Sequence, residues 1–490
     1  MRIKIWNVKI RNKSKEEPSN KKESFANSLD KIRFIFFYYA YKYKPNEKTM
    51  NQWKAALHSS KIHSTDVIVV GLGSVGSFAI DYLAQNGIST IGIERFSRLH
   101  TRGSNHGKSR VYRHAYYEHP DYVPLLLDST KRFKELEKEM DIPIMNTCGV
   151  LILSENDTNK RQPSSYESIV DLAYKSALEY SIPVEMLNKD EIRHKFPQFN
   201  ITENTKGLWE PGAGFIRPEN SILAALARAE KNGATLLHHT KLCSFMESDN
   251  KNLNNNRNSN PYNVEVKVNT SDSENEDDII LRSKSLIITS GAYIPELIPS
   301  LKPYLKVTRQ RQAWFHPHDT EKAHPKHLPC WFVDRGYGMP PYVGIPSDPD
   351  LNEISKKWSN FTSIAPPTTT TSSPLFKVAI HGGGEEVDPE TYSKAFNKQD
   401  DDDLKKVAQE ALPNLPGTYS HGSACLYTET PDGHFIVDQI PNQKHSWVVA
   451  GLSGHGFKLA PALGKIISDM ALYGKTDLPA EFLRLSRLDK

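Results

Sequence analysis

Gly71, Gly73 and Gly76 stand in G-x-G-x-x-G spacing with Ser74 among them, and the carboxylate of Glu94 follows downstream. This set could hold a dinucleotide. Gly71 lets the chain turn tightly, Gly73 lets the backbone approach a pyrophosphate, and Gly76 lets a helix pack on the preceding strand. The helix N-terminus attracts phosphate charge. An acid at the place of Glu94 can take both ribose hydroxyls. That chemistry needs a strand before the glycines, a helix after them and a second strand before the acid. Asp66 to Val70 is a short run rich in β-branched residues and reads as a buried strand. Ser77 to Asn86 is amphipathic and closes on Asn86-Gly87, a helix-stop pair. Ser89 to Ile93 reads as the second strand. The alternative is a tight glycine turn in some other α/β protein, but elements and acid in this order favour the dinucleotide.

A second set lies in Leu99 to Tyr116, dense in Gly, His and Arg. Arg110 and Arg113 are three apart, so a helix starting at Ser109 would point both to a similar face. Two guanidinium groups there could hold an anion or a carboxylate. From charge alone the segment reads as a solvated basic loop. Trp447 to Ala450 reads as a short buried strand that meets Gly451, Gly454 and Gly456. Three glycines at a strand-to-helix junction suit close approach to a cofactor. The helix expected from Pro461 to Tyr473 would direct its first N–H groups at something electron-rich. Asp400 to Asp403 reads as a solvated helix start rather than a metal site. The four cysteines, Cys148, Cys243, Cys330 and Cys425, lie far apart with no CxxC pair. Neither zinc nor a disulfide scaffold is expected, which fits a reducing compartment. By itself Cys425 reads as a buried structural cysteine.

At 490 residues the chain can form two or more domains. A net charge of +4 is small for that length and does not suggest nucleic acid. No apolar stretch is long enough to span a bilayer. Residues 1–60 read as an extension to the fold, with a polar, disordered tract at Lys13 to Lys22. The aromatic run Phe34 to Tyr41 reads as a docked helix or strand, or as a membrane-surface or targeting segment. Helices are expected over Tyr122–Met140, Ser164–Tyr180, Asp190–Phe196 and Pro218–Asn232. Strands are expected at Gly149–Leu153, Ala234–Leu237, Val264–Val268 and from Leu286 into the Gly291 turn. Gln312–Pro317, Tyr342–Pro346 and Leu375–His381 have no helix between them, which suggests an antiparallel sheet. The polar tracts in Glu247–Asp278 read as flexible hairpin loops, and Ser347–Pro374 as a surface-loop insertion.

Several stretches together resemble one family. They are the glycine motif, Ser104-Asn105-His106-Gly107-Lys108-Ser109-Arg110, Arg113-His114-Ala115-Tyr116, Cys425-Leu426-Tyr427-Thr428, and Ser453-Gly454-His455-Gly456-Phe457-Lys458-Leu459-Ala460-Pro461. From about Thr65 to about Leu485 the chain is similar to the monomeric sarcosine oxidase and peroxisomal sarcosine/pipecolate oxidase group, within the D-amino-acid-oxidase-like flavoproteins. The resemblance implies an α/β fold. A Rossmann-like FAD-binding domain, residues 61–148, 206–300 and 432–490, is interleaved with a mostly antiparallel-sheet substrate domain, residues 149–205 and 301–431, which carries the insertion near 347–374. It implies FAD held by Gly71, Gly73, Ser74, Gly76 and Glu94, and by Ser104, His106, Gly454, Gly456 and Lys458. The sulfur of Cys425 would be bonded to the flavin 8α-methyl. Arg113 and Lys458 match the pair that grips a substrate carboxylate, and Tyr116 and Tyr427 match tyrosines lining the pocket. Arg110 matches an arginine near the flavin, Lys377 a lysine that activates oxygen, and His381 a histidine near the substrate. One position departs: the family often has a tyrosine where this chain has Val343.

The implied reaction oxidises the C–N bond of a secondary amino acid, such as sarcosine, pipecolate or another N-alkyl amino acid, to an imine, with dioxygen reduced to hydrogen peroxide. The partners are then a small molecule and dioxygen, no metal is needed, and the protein is a monomer. The location is peroxisomal or cytoplasmic, although Leu488-Asp489-Lys490 matches a Ser-Lys-Leu tripeptide poorly. The rival readings are a fructosyl-amino-acid or saccharopine oxidase on the same fold, an NAD-dependent dehydrogenase, and a non-catalytic flavin-binding protein. Arg113, Lys377 and Lys458 are all dispensable for mere flavin binding, which argues against the last.

Overall fold

Ile68 and Val69 are fully enclosed in the strand Ile62–Val70, as the apolar run predicts. In this computed structural model residues 62–155, 166–248, 261–269, 279–350 and 374–489 are described. The extension expected at 1–60 lies outside them, as do residues 249–260, 270–278 and 351–373 of the expected loops.

The strand Ile62–Val70 stands in an eight-stranded sheet, flanked in parallel by Thr90–Ile93 and Ile279–Ile288. Thr235–Leu237 continues the sheet in parallel beyond Thr90–Ile93, and Ser446–Ala450 pairs in parallel with Ile279–Ile288. Strands buried on both faces need continuous apolar runs, which these sequences supply. Val264–Asn269 and Lys241–Glu247 add an antiparallel flap at one edge.

The helix Ser74–Gln85 starts before the expected Ser77. Its N-cap is Gly73, which has no side chain to signal a cap. The helix can begin there because a Cβ on Gly76 would lie 1.9 Å from the Gly71 carbonyl oxygen, so only glycine admits the contact. The closing helix Ala460–Tyr473 packs on it equally tightly at Gly464, where a Cβ would lie 2.7 Å from the Ala79 nitrogen.

A nine-stranded sheet holds Lys306–Pro317, Phe376–Ile380, Tyr342–Ile345 and Cys330–Asp334 in neighbouring places. Its pairings are antiparallel except for Cys330–Asp334 with Val150–Glu155. Pro416–Glu429 pairs along almost the whole of Lys306–Pro317, setting Cys425 opposite Gln310 and Tyr427 opposite Thr308.

Two expectations are corrected. Arg110–Tyr112 is a strand, paired antiparallel with Gly214–Ile216, and no helix starts at Ser109. Val111 and Tyr112 favour extended backbone, and their partner strand is remote in sequence. Arg113 is 1% exposed, so the solvated-loop reading also fails for it. The acidic run Asp400–Asp403 does open a helix, Lys398–Ala411, capped by Asn397. Asp400 is nevertheless buried, with Arg309 Nη2 2.8 Å from its Oδ2. Among the described residues, no helix is long and apolar enough to cross a membrane, and no cluster of ligands suits a metal.

Candidate active site

A cleft is lined by the Gly71 turn and by Gly454 and Gly456. Gly73, Ser74 and Glu94 line it, as do Ser104, Arg110 and Tyr427. Gly71 has φ +87°, and a Cβ there would lie 2.8 Å from the Thr289 carbonyl oxygen. The first turn of Ser74–Gln85 has no side-chain cap and no acid. Its free N–H groups therefore suit an anion.

Glu94 accepts hydrogen bonds from the Leu72 and Phe96 N–H groups, each at 3.0 Å. Burial pushes its pKa up, but His100 and these N–H groups outweigh burial and hold it below the ordinary value. The carboxylate is thus a fixed acceptor with lone pairs to spare for hydroxyls. Phe96 and Tyr293, with Arg95 over both rings, also line the cleft. An anion site, an acceptor for hydroxyls and aromatic walls in one channel fit a dinucleotide.

Arg110, Lys377, His106 and Cys425 form a second group. Arg110 donates to the carbonyls of Ser104, His106 and Ser109 at 2.6, 2.7 and 2.8 Å, which holds the intervening loop. Lys377 Nζ donates to the carbonyls of Gly107, at 3.2 Å, and Ser109. Burial and the Arg110 charge press the Lys377 pKa well below the lysine range. Burial, with Arg110 beside it, lowers His106 to about 3. Burial raises the Cys425 thiol, against the pull of Arg110 and Lys377. His106 Nε2 and Gln312 Nε2 are buried without a hydrogen-bond partner. Ser104 Oγ donates to the Leu426 carbonyl and so ties the loop to the strand of Cys425. Cys425, Lys377 and His106 do not line the cleft; they stand behind it.

The third group is a buried cationic cluster. Arg113 Nη2 reaches both oxygens of Glu118, Nη1 donates to the Ala115 carbonyl, and Nε has no partner. The guanidinium carbon lies 4.4 Å from the Tyr116 ring centre and 4.1 Å from that of Tyr117. Lys458 Nζ donates to Tyr116 Oη at 3.2 Å and to the His455 carbonyl at 2.8 Å. Burial lowers Lys458 to about 7, with Glu118 pulling it upward and Arg113 pushing it down. Burial alone would raise Glu118, but Arg113, His455 and Lys458 bring it to about 2. His381 Nδ1 lies 3.1 Å from Tyr427 Oη, and burial lowers His381 to about 4. Tyr427 belongs to both this cluster and the cleft.

Glu118 and His455 belong to the site although sequence reasoning did not single them out. Both lie in or beside the quoted motifs. Glu118 closely follows Tyr116, and His455 stands between Gly454 and Gly456. Val343 is half-buried, opposite Phe332 on the neighbouring strand.

A family profile described as FAD dependent oxidoreductase matches residues 66–470. The monomeric sarcosine oxidase of Streptomyces avermitilis is 32% identical over 418 residues, covering 84% of this chain and 95% of that protein. The N-methyl-L-tryptophan oxidase of Yersinia pestis is 28% identical over 407 residues, covering 82% and 93% respectively. Among solved structures, that of NikD, an unusual amino acid oxidase essential for nikkomycin biosynthesis, shares the fold. Its TM-score is 0.66 at 20% identity, covering 86% of this chain and 97% of that one.

Proposed function

The chain belongs to the FAD dependent oxidoreductase family, and from that membership we propose that it is an oxidase of small secondary amino acids. When bound, FAD supplies the two-electron acceptor for the substrate C–N bond and the means of reducing dioxygen to hydrogen peroxide.

Gly71, Gly73, Ser74 and Gly76 would hold the pyrophosphate, and Glu94 the ribose. Ser104, His106, Gly454 and Gly456 would surround the ring, and Cys425 would tether it through sulfur. The eight-stranded sheet carries Gly71 and Glu94, and the nine-stranded sheet carries Lys377 and Cys425. This supports reading 61–148, 206–300 and 432–490 as the FAD-binding part and 149–205 with 301–431 as the substrate part. The relatives named monomeric support a monomer.

One observation carries the substrate class. Protonated, Arg113 and Lys458 bring two positive charges into the cluster, and Glu118 brings one negative charge. The histidines His381 and His455 are neutral. One uncompensated buried cation remains, with an unpartnered donor at Arg113 Nε. A buried charge demands a counter-charge, and a single carboxylate supplies it. Gripped there, with Tyr116 and Tyr427 as walls, the substrate would be oriented for oxidation. Arg110 would supply positive charge, and Lys377 beside it hydrogen-bond donors, where charge develops on oxygen.

The test is hydrogen peroxide release by the purified flavin-loaded protein on sarcosine, L-pipecolate, N-methyl-L-tryptophan and a fructosyl amino acid. Release on secondary amino acids and not on their amides is expected. Release on amides as readily would remove the carboxylate grip, and release on none of the four would overturn the activity.

A further inference from the structure

His455 is 7% exposed and is hydrogen-bonded to the buried cationic cluster through Tyr116 and through its own carbonyl. Its Nδ1 lies 2.7 Å from Tyr116 Oη, and its Nε2 lies 3.0 Å from the Gly433 carbonyl oxygen. The ring packs on Phe435 at 4.6 Å and on Tyr122 at 5.6 Å between centres. Burial lowers its pKa to about 3, so at neutral pH it carries a single ring proton.

The position of that proton follows from its neighbours. A carbonyl oxygen only accepts, so the proton sits on Nε2 and points at Gly433. Nδ1 is then bare and must accept, so the Tyr116 hydroxyl donates to it. The Tyr116 oxygen is thereby left as an acceptor, and Lys458 Nζ donates to it at 3.2 Å. Every bond in the series Lys458, Tyr116, His455, Gly433 runs in one direction. Lys458 spends one N–H on Tyr116 and one on the His455 carbonyl. An ammonium has three, so one is left to point at a ligand.

We propose that His455 is a positioning residue for substrate binding: its bare Nδ1 turns the Tyr116 hydroxyl away from Lys458 and makes that oxygen the acceptor that aims the lysine. Without it, the Tyr116 proton would be free to point at Lys458 and oppose its charge. The inference rests on the reading that Lys458 meets the substrate carboxylate.

Two substitutions separate the two ends of the ring. His455→Asn places an amide oxygen near the Nδ1 position and keeps an acceptor for Tyr116. His455→Gln reaches Gly433 and gives that acceptor up. In the flavin-loaded full chain, His455→Gln is expected to raise KM for the best amino acid of the peroxide panel about tenfold. It should weaken competitive inhibition by propanoate as much, with kcat within about twofold, the weight of one charge-assisted hydrogen bond. Inhibition by uncharged propanamide should not change. His455→Asn should stay within about threefold of the parent. Tyr116→Phe combined with His455→Gln should be no worse than the more damaging single change, because both break one series.

If Asn proves as damaging as Gln, or the two changes multiply, the proposal is overturned and His455 only fills space. Lys458→Met tells this failure from a deeper one. If it raises KM while both His455 variants behave as the parent, only the inference falls. If it leaves KM unchanged, the carboxylate reading falls and the inference with it. Retained bound flavin and an unchanged melting temperature show that each variant is folded.

Discussion

Arg113 Nη2 lies 2.9 and 2.7 Å from the two carboxylate oxygens of Glu118, inside a shell of aromatic rings. The pair is nearly inaccessible at the arginine, which is 1% exposed. Arg113→Ala would therefore do two things. It would break the close pair with Glu118 and strip that buried carboxylate of two hydrogen bonds, with only the more distant Lys458 left to offset its charge, costing about 3–5 kcal/mol of stability. It would also remove the strongest grip on a carboxylate, raising KM by roughly 30–100-fold. Arg113→Lys should recover part of the stability, because it returns a charge beside Glu118, but not KM, because a point charge cannot replace the planar fork. Steady-state kinetics and thermal unfolding check both effects. An unchanged KM would remove Arg113 from substrate binding.

Lys458 gives carboxylate binding a pH dependence near neutrality. The groups around it titrate elsewhere: Glu118 near 2, His455 near 3, His381 near 4, with Tyr116 and Arg113 raised above their ordinary values. Lys458, at about 7, alone changes charge in the working range. Its proton is present below that value and lost above it. Inhibition by an amine-free carboxylate such as propanoate should weaken as pH rises from 6 to about 9. In Lys458→Met it should be weak and flat throughout. A flat profile in the parent protein would show that Lys458 keeps its proton.

Acid should loosen the fold well before the carboxylates titrate. His106, His381 and His455 have pKa values near 3, 4 and 3 because they are buried. In the unfolded chain each returns to about 6.5. Between those values the unfolded state binds the proton and the native state does not, so stability falls as pH drops below about 6.5. At pH 5 the loss is about 2 kcal/mol for each histidine. Melting temperatures at pH 7.5 and 5 should differ by several degrees. His106→Gln should narrow the gap, and equal melting temperatures would contradict the burial of all three.

Cys425 should keep its colour through denaturation. If sulfur is bonded to the flavin, the acid-precipitated, washed polypeptide stays yellow and its Cys425 peptide carries the added mass. Cys425→Ala should yield colourless precipitate with the fold retained, because the thiol is a small buried group whose loss costs little. A colourless parent precipitate would end the covalent reading while leaving FAD binding intact.

Much of this site was legible before the structure. The glycine turn and its flanking strands are local features, and local features read well: Tyr122–Met140 is a helix with the expected ends. What escaped depends on distant partners. Arg110–Tyr112 is too short a strand to declare itself, and it forms because Gly214–Ile216 lies alongside. Asp400 looked solvated because Arg309, which buries it, stands far away in the chain. Glu118 is near Arg113 in sequence, but nothing local says that both lie inside the protein. The ring proton of His455 is fixed by Gly433 and Tyr116 from two separate loops, which no spacing reveals.

Cys425 and Tyr427 are two apart on one strand, held opposite Gln310 and Thr308. Side chains two apart share a face, and slipping by one residue turns both to the other side. A one-residue slip of this strand against Gln310 and Thr308 would thus turn away the proposed flavin anchor and the proposed pocket wall in one event.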